Sequence, residues 1–415
     1  MSGTQTVTDR HPSPGTQSPP KPSRRSTLAY LVLLQFFYAW AWNSGDVFRP
    51  AFRVALGLTL TQVGAGYSAQ VFGALAGAMA IVRFEHAIGR RHAVTLTTLG
   101  IGASLLAGDM VTNWPSFLAD RFALGFFGGA VFPLTIGLIA DLFRPGVRGR
   151  LASVIDGTYF GAVAVLGLAV GRVGMGNWRT LLWVGGVPPV LFALAAYRCL
   201  SDHPAHAPDA PQPRSSIRAL FAHELRARTL ALLAMMGCNA FGSQAFSGWL
   251  TTYLFDVVRL DPHRAGAIVA CQFVGSVVGC GAWGWVIDRL GRRAGAFGLL
   301  ASAVAVAAFL LGPPVPLFLA ASAATFGFAF SAVVTLGPWL AELYPSPLRT
   351  AGTSMFQWGR FISLLAPVLT GSLATYFGLR AAMGVATIAL AGGALIWLRV
   401  PETLARDQAA KRSKA

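Results

Sequence analysis

The chain has 415 residues, 54% of them hydrophobic and only 12% charged, with a mean hydropathy of +0.56. Soluble domains carry about 25% charge, so this composition excludes an ordinary soluble enzyme. The net charge of +17 would suggest nucleic acid in a soluble protein. Here, however, Lys and Arg stand between apolar runs instead of forming a patch interleaved with aromatics, and no nucleic-acid partner is expected.

Residues 1–25 are rich in Pro, Ser and Thr and bury too little apolar surface to fold alone, which predicts a disordered cytoplasmic tail. The apolar stretch 28–42 lacks a small-residue cleavage site and reads as the first membrane helix, not a removed signal. Further spans are expected near 64–82, 93–110, 116–139, 151–172 and 179–199, each long enough for a hydrocarbon core of about 30 Å. The one long hydrophilic stretch, 201–228, is a cytoplasmic linker whose piece around 215–226 is amphipathic. Six more spans follow near 229–254, 265–287, 294–312, 315–339, 351–376 and 379–399, before a basic tail at 401–415.

The expected fold is an all-α membrane protein, with twelve transmembrane helices in two pseudo-symmetric bundles at 26–200 and 229–400. With both termini cytoplasmic, 24 of the 33 Lys and Arg lie in cytoplasmic segments, 7 lie outside and 2 (Arg121, Arg360) lie within spans. This asymmetry sets the orientation. Cys199, Cys238, Cys271 and Cys280 lack paired spacing and read as small buried hydrophobes, and the histidines form no ligand set. No metal and no cofactor is expected.

The halves repeat. Ala69-Gln70-Val71-Phe72-Gly73 recurs 202 positions later as Cys271-Gln272-Phe273-Val274-Gly275, and Gly89-Arg90-Arg91 recurs at the same offset as Gly291-Arg292-Arg293. Asp141 with Arg148 is matched by Glu342 with Arg349, each acid seven residues before its arginine. Repeated halves place a binding site between two bundles near the midplane.

The segment Gly284-Trp285-Val286-Ile287-Asp288-Arg289-Leu290-Gly291-Arg292-Arg293 resembles the signature loop of the major facilitator superfamily. Arg121 to Gly125 resembles that family's fourth-span motif, and Trp178-Arg179 ahead of a Gly/Pro-rich span is typical of it. Glu342 to Arg349 resembles its loop between spans ten and eleven, and Pro401-Glu402-Thr403 the segment that ends the last helix in sugar and metabolite carriers. The resemblance implies a cytoplasmic gate built from Asp288, Arg292, Asp141, Arg148, Glu342 and Arg349. In the first half His86 stands where the loop aspartate belongs, so Glu85 beside it is expected to take that role with Arg90. Where aromatic-acid symporters of the family carry two aspartates in helix one, Tyr38 and Ala41 stand here.

Ionisable groups inside a span are functional candidates by default. Arg360 shares a helix face with Gln357 and Thr353, and such a cation suits an anionic solute, although a permanent bridge to a facing acid would use it equally. Arg121 is expected to pair with Asp46, and Arg49 and Arg121 agree, like Arg360, with an anionic solute. Asp46 and Asp156 are the candidate proton-coupling acids, Asp156 being as readable as a polar strut. Tyr38, Asn43, Gln70, Asn239, Gln244 and Gln272 complete the expected substrate-binding set, with the repeated Gln70 and Gln272 facing the axis.

No phosphate-cradling loop is present, so an ion gradient is the expected energy source. The expected function is proton-coupled symport of a small organic anion such as a carboxylate across the cell inner membrane, by a monomer whose partners are its solute, protons and the bilayer. A sugar or neutral-metabolite carrier, or drug efflux by proton antiport, is the alternative. A converging nucleophile and base, which an enzyme would need, is not apparent.

Overall fold

A computed structural model describes residues 23–143, 145–200, 217–344, 348 and 361–402. The regular structure among the described residues is helical, without a strand. In the first half the helices are α1 (Arg24–Val47), α2 (Leu60–Ile88), α3 (Arg90–Ala107), α4 (Trp114–Gly128, continued by Val131–Leu142), α5 (Pro145–Val173) and α6 (Trp178–Ala193). In the second half they are α7 (His223–Thr252), α8 (Pro262–Leu290), α9 (Ala294–Leu311), α10 (Pro316–Phe330, continued by Leu336–Leu343), α11 (Leu365–Met383) and α12 (Val385–Arg399). They follow the order of the expected spans.

Seven helical stretches among the described residues are apolar and long enough to cross a bilayer on those criteria alone. Helices α1 and α7 fall outside that set because they spend interior positions on Gln35, Asn43, Ser44 and Asp46, and on Asn239, Ser243 and Gln244. Large apolar side chains such as Met79, Leu191, Phe297 and Tyr376 lie exposed around the periphery, as a surface solvated by lipid requires.

The internal repeat is built into the backbone. Thr59 caps α2 by accepting from the Gln62 N–H, and Asp261, 202 positions later, caps α8 by accepting from the Arg264 N–H at 3.0 Å. At their other ends both helices stop at a glycine with positive φ, Gly89 at 86° and Gly291 at 97°, a conformation that side chains disfavour. Small residues then let the helices close in. A Cβ on Gly125 of α4 would lie 1.9 Å from the Gln70 carbonyl oxygen, and one on Gly327 of α10 would lie 1.8 Å from that of Gln272. The same backbone contact is thus made twice, by residues at one offset, in the close packing that small residues permit in lipid. Gly378 (φ 78°) breaks α11 where the eleventh span was expected to end.

Six helices run through each half, so the first and last described residues, Ser23 and Glu402, lie on one face. Thr27, near the start of α1, donates to the Cys199 carbonyl at 2.6 Å just past α6, and Glu402, just past α12, accepts from the Arg292 and Arg293 N–H groups at 3.0 and 2.9 Å. On the opposite, far face the two halves meet along three seams. Across α2 and α11, Ser68 donates to the Leu364 carbonyl at 2.6 Å, and a Cβ on Gly371 would come within 2.7 Å of the Leu60 carbonyl oxygen. Across α5 and α8, one on Gly266 would lie 2.3 Å from the Gly167 oxygen. The third seam, α1 against α7, carries the charges. All three hold the far side shut.

Candidate functional site at the seam between the halves

Helix α1 ends at Val47, but after one turn-like residue the chain re-enters a short helix, Arg49–Ala55, with Pro50 pre-set for its first turn. Asp46, Arg49 and Arg53 therefore stay on one side, at spacings of three and four, and all face α7. Asp46 forms an ion pair with Arg49 and accepts a hydrogen bond from Gln244 Nε2 of the other half at 2.8 Å. The Arg49 guanidinium lies 4.3 Å from the centre of the Trp249 ring, a cation–π contact across the same seam. Arg53 donates to Asp256 Oδ2 at 2.8 Å. Three rungs thus tie the halves, running outward from Asp46 to Arg53.

Arg49 is the unusual member. It is only 1% exposed, and its Nε and Nη1 have no acceptor, nor does the Trp249 indole N–H beside it. Buried donors of this kind are rarely left unmatched, so their grouping around one cation marks a place that accepts negative charge.

The expected pair between Arg121 and Asp46 is not made. Arg121, fully buried, donates from Nε and Nη2 to its neighbour Asp120 at 2.9 and 2.6 Å, and reaches helix one through Ser44 Oγ at 3.0 Å. Arg49, one helical turn from Asp46, takes the acid first. The sequence offers Arg49 as a cation suited to an anion and not as the partner of Asp46; its i, i+3 spacing from Asp46 is the signal for that pair.

The other expected solute contacts lie around this seam or just beneath it. Asn43 Nδ2 donates to the Tyr159 hydroxyl at 2.9 Å, and the Tyr38 ring centre is 6.0 Å from that of Tyr159. Gln70 and Gln272 are buried and play matched parts: Gln70 Nε2 donates to the Trp42 carbonyl at 2.9 Å, and Gln272 Nε2 to Ser247 Oγ at 2.8 Å. Each ties the second helix of its half to the first, which engages its amide donor in packing. Asn239 is buried on α7 with its side-chain oxygen unmatched. Asp156 is half-buried on α5 and makes no ion pair among the described residues. Arg360 and Gln357 lie outside the described residues.

On the face of the termini, Arg90 Nε donates to Glu85 Oε1 at 2.5 Å, so these two expected gate residues come together, packed against Gly137 of α4. Arg292 lends its backbone N–H to Glu402. That contact was not foreseen: the Glu402 carboxylate accepts from two adjacent N–H groups at the start of α9, where it complements the helix dipole and ties the loop to the chain's end. Arg349, and the side chains of Asp141, Arg148, Asp288 and Glu342, lie outside the described residues.

The family model described as Major Facilitator Superfamily matches residues 31–261 and 232–415. The chain belongs to the major facilitator superfamily. Among relatives of this superfamily member is the 3-(3-hydroxy-phenyl)propionate transporter of Escherichia coli (strain K12), 27% identical over 370 residues, covering 86% of this chain and 89% of the relative. A probable 4-methylmuconolactone transporter of Cupriavidus pinatubonensis is likewise 27% identical over 388 residues, covering 88% and 89%. In fold, this superfamily chain matches the crystal structure of a bacterial homologue of the human lysosomal transporter Spinster, with a TM-score of 0.74 at 16% identity over 93% of this chain and 99% of that one. As a member of the superfamily the protein is a multi-pass membrane transporter of small solutes and not an enzyme.

Proposed function

We propose that this protein is a symporter that carries one proton with a small organic carboxylate, by alternating access, across the cytoplasmic membrane with both termini inside. The bundles at 26–200 and 229–400 would be the moving bodies and the monomer the working unit. The observation that carries this reading is the pair of half-buried Asp46 with buried Arg49, bonded across the seam to Gln244 and surrounded by donors without acceptors.

The chemistry is an exchange of carboxylates. With the far side shut, ionised Asp46 neutralises Arg49. When the seam opens, a proton on Asp46 cancels its charge, and the carboxylate of the solute takes its place on the guanidinium, which suits that geometry. Net charge in the site is unchanged by the swap, so neither step leaves an uncompensated charge in a medium of low dielectric. Proton and anion therefore load together.

Tyr38, Asn43, Asn239 and Gln244 would contact the body of the solute, with Gln70 and Gln272 shaping its walls. Arg121 would serve as a second cation on the first half and Arg360, with Gln357, on the second. Asp156 is the alternative coupling acid. Glu85 with Arg90, Asp141 with Arg148, Asp288 with Arg292, and Glu342 with Arg349 would close the cytoplasmic side. The relative named for 3-(3-hydroxy-phenyl)propionate supports an aromatic monocarboxylate as the solute class.

Uptake into proteoliposomes tests this reading. Labelled hydroxyphenylpropionate or benzoate should accumulate against its gradient when the outside is acidic and only equilibrate when the pH is equal on both sides. Accumulation of xylose or of an amide analogue, with no accumulation of the acids, would overturn it.

A further inference from the structure

Outside the shut seam lies a cavity of about 460 Å³ lined by Arg53, Phe255, Asp256, Arg259 and Leu260. Its composition is not that of a bare surface hollow: two guanidiniums and one carboxylate line it, against an aromatic and an aliphatic wall. Arg53 spends Nη2 on Asp256 at 2.8 Å, while its Nε is buried without an acceptor. Arg259 is exposed and makes no ion pair among the described residues.

The backbone around this cavity is also irregular. Tyr253–Val257 forms a π-helical turn, which carries Phe255 and Asp256 into the wall. Arg259, with φ 59°, is the single non-glycine residue of positive φ among the described residues. A side chain held in that region is strained, and such strain persists where the surroundings enforce it, commonly at ligand clamps and switches.

We infer that this cavity is an entry site for the carboxylate of the solute, which binds Arg259 and then displaces Asp256 from Arg53, undoing the outermost ion pair between the halves. The inference rests on the reading of the protein as a carboxylate carrier and adds to it a second site, distinct from the Asp46–Arg49 pair beneath. The ligand would be an aromatic or branched aliphatic monocarboxylate, its acid group between the guanidiniums and its apolar body on Phe255 and Leu260. Displacement of Asp256 makes binding and opening one event: the incoming anion replaces an internal one, and the halves lose a tie only when a solute is present.

The purified full-length protein can be treated with the arginine reagent phenylglyoxal, with benzoate or benzamide present, and modification of the peptide carrying Arg259 followed by mass spectrometry. Benzoate should slow modification of Arg259 and benzamide should not, and Asp256→Asn, which frees Arg53, should strengthen the protection. In liposomes, Arg259→Gln should raise the half-saturating concentration for uptake from the far side about tenfold, the loss of one charged contact, and do so far more than for efflux from the other side. Arg259→Gly, which fits the backbone without strain, should behave like Arg259→Gln and guards against misfolding as the cause. Equal protection by benzoate and benzamide, or an unchanged half-saturating concentration, overturns the site. Protection by benzoate in a protein whose liposomes accumulate no carboxylate would instead overturn the transport reading and leave the site standing.

Discussion

Asp46→Asn should abolish proton-driven accumulation while leaving exchange of carboxylate across the membrane intact. The asparagine imitates the protonated acid in shape and charge, so Arg49 is permanently available to the solute and the site can still be loaded from either side. What disappears is the proton that the wild-type site carries with each anion. A pH difference of one unit is worth about 1.4 kcal/mol per proton, enough for roughly tenfold accumulation with one-to-one coupling. The variant should therefore reach only equal concentrations on the two sides, at exchange rates comparable to wild type. Asp156→Asn should retain the gradient-driven tenfold. The reverse outcome, with accumulation lost in Asp156→Asn and kept in Asp46→Asn, would transfer the coupling role to Asp156.

Arg49→Gln should be the most damaging single change at the seam. It leaves the half-buried Asp46 carboxylate with Gln244 as its donor from the other half and removes the cation on Trp249. Breaking a buried ion pair from one side typically costs about 3–5 kcal/mol, because a charge is stranded. Folded yield and thermal stability in detergent should fall sharply. The double variant Asp46→Asn with Arg49→Gln removes both charges and should recover most of that stability, since two coupled residues do not add. It should nevertheless transport no carboxylate, because the cation is gone. A stable Arg49→Gln protein, or a double variant that transports carboxylate at normal affinity, would remove Arg49 from the site.

The membrane fold was legible because its signals are local. Span order follows from apolar runs, and the ends of α2 and α8 from glycines at Gly89 and Gly291, where the backbone needs positive φ. The repeat that links Gln70 to Gln272 reappears as the same backbone contact in each half, Gly125 on Gln70 and Gly327 on Gln272. Glu85, chosen because it stood one residue from the missing aspartate, does meet Arg90.

The pairing of charges was not legible to the same degree. Asp46, Asp120, Arg49 and Arg121 allow several pairings that satisfy charge equally, and the choice depends on how the chain turns after Val47. The apolar run ends near Trp42, so the sequence offers Arg49 as a cation that suits an anion but not its partner, which is set by the short helix beginning at Arg49 that folds it back beneath Trp249. Glu402 was visible only as part of a familiar segment. Its work, capping the N–H groups of Arg292 and Arg293 from 110 and 109 residues away, depends on tertiary structure that no local pattern encodes.

The reading as a carrier depends on the two halves closing one face as they open the other. Spin labels at Met110 and Leu311, exposed at far-face helix ends of the two halves, and at Ile88 and Leu290, exposed at the corresponding ends on the face of the termini, report this directly in a protein lacking its four cysteines. Pulsed electron–electron distances should shift in opposite senses when benzoate and acid are added together, the far-face pair lengthening as the pair near the termini shortens. Distances that stay fixed in both pairs, or lengthen together, would contradict alternating access.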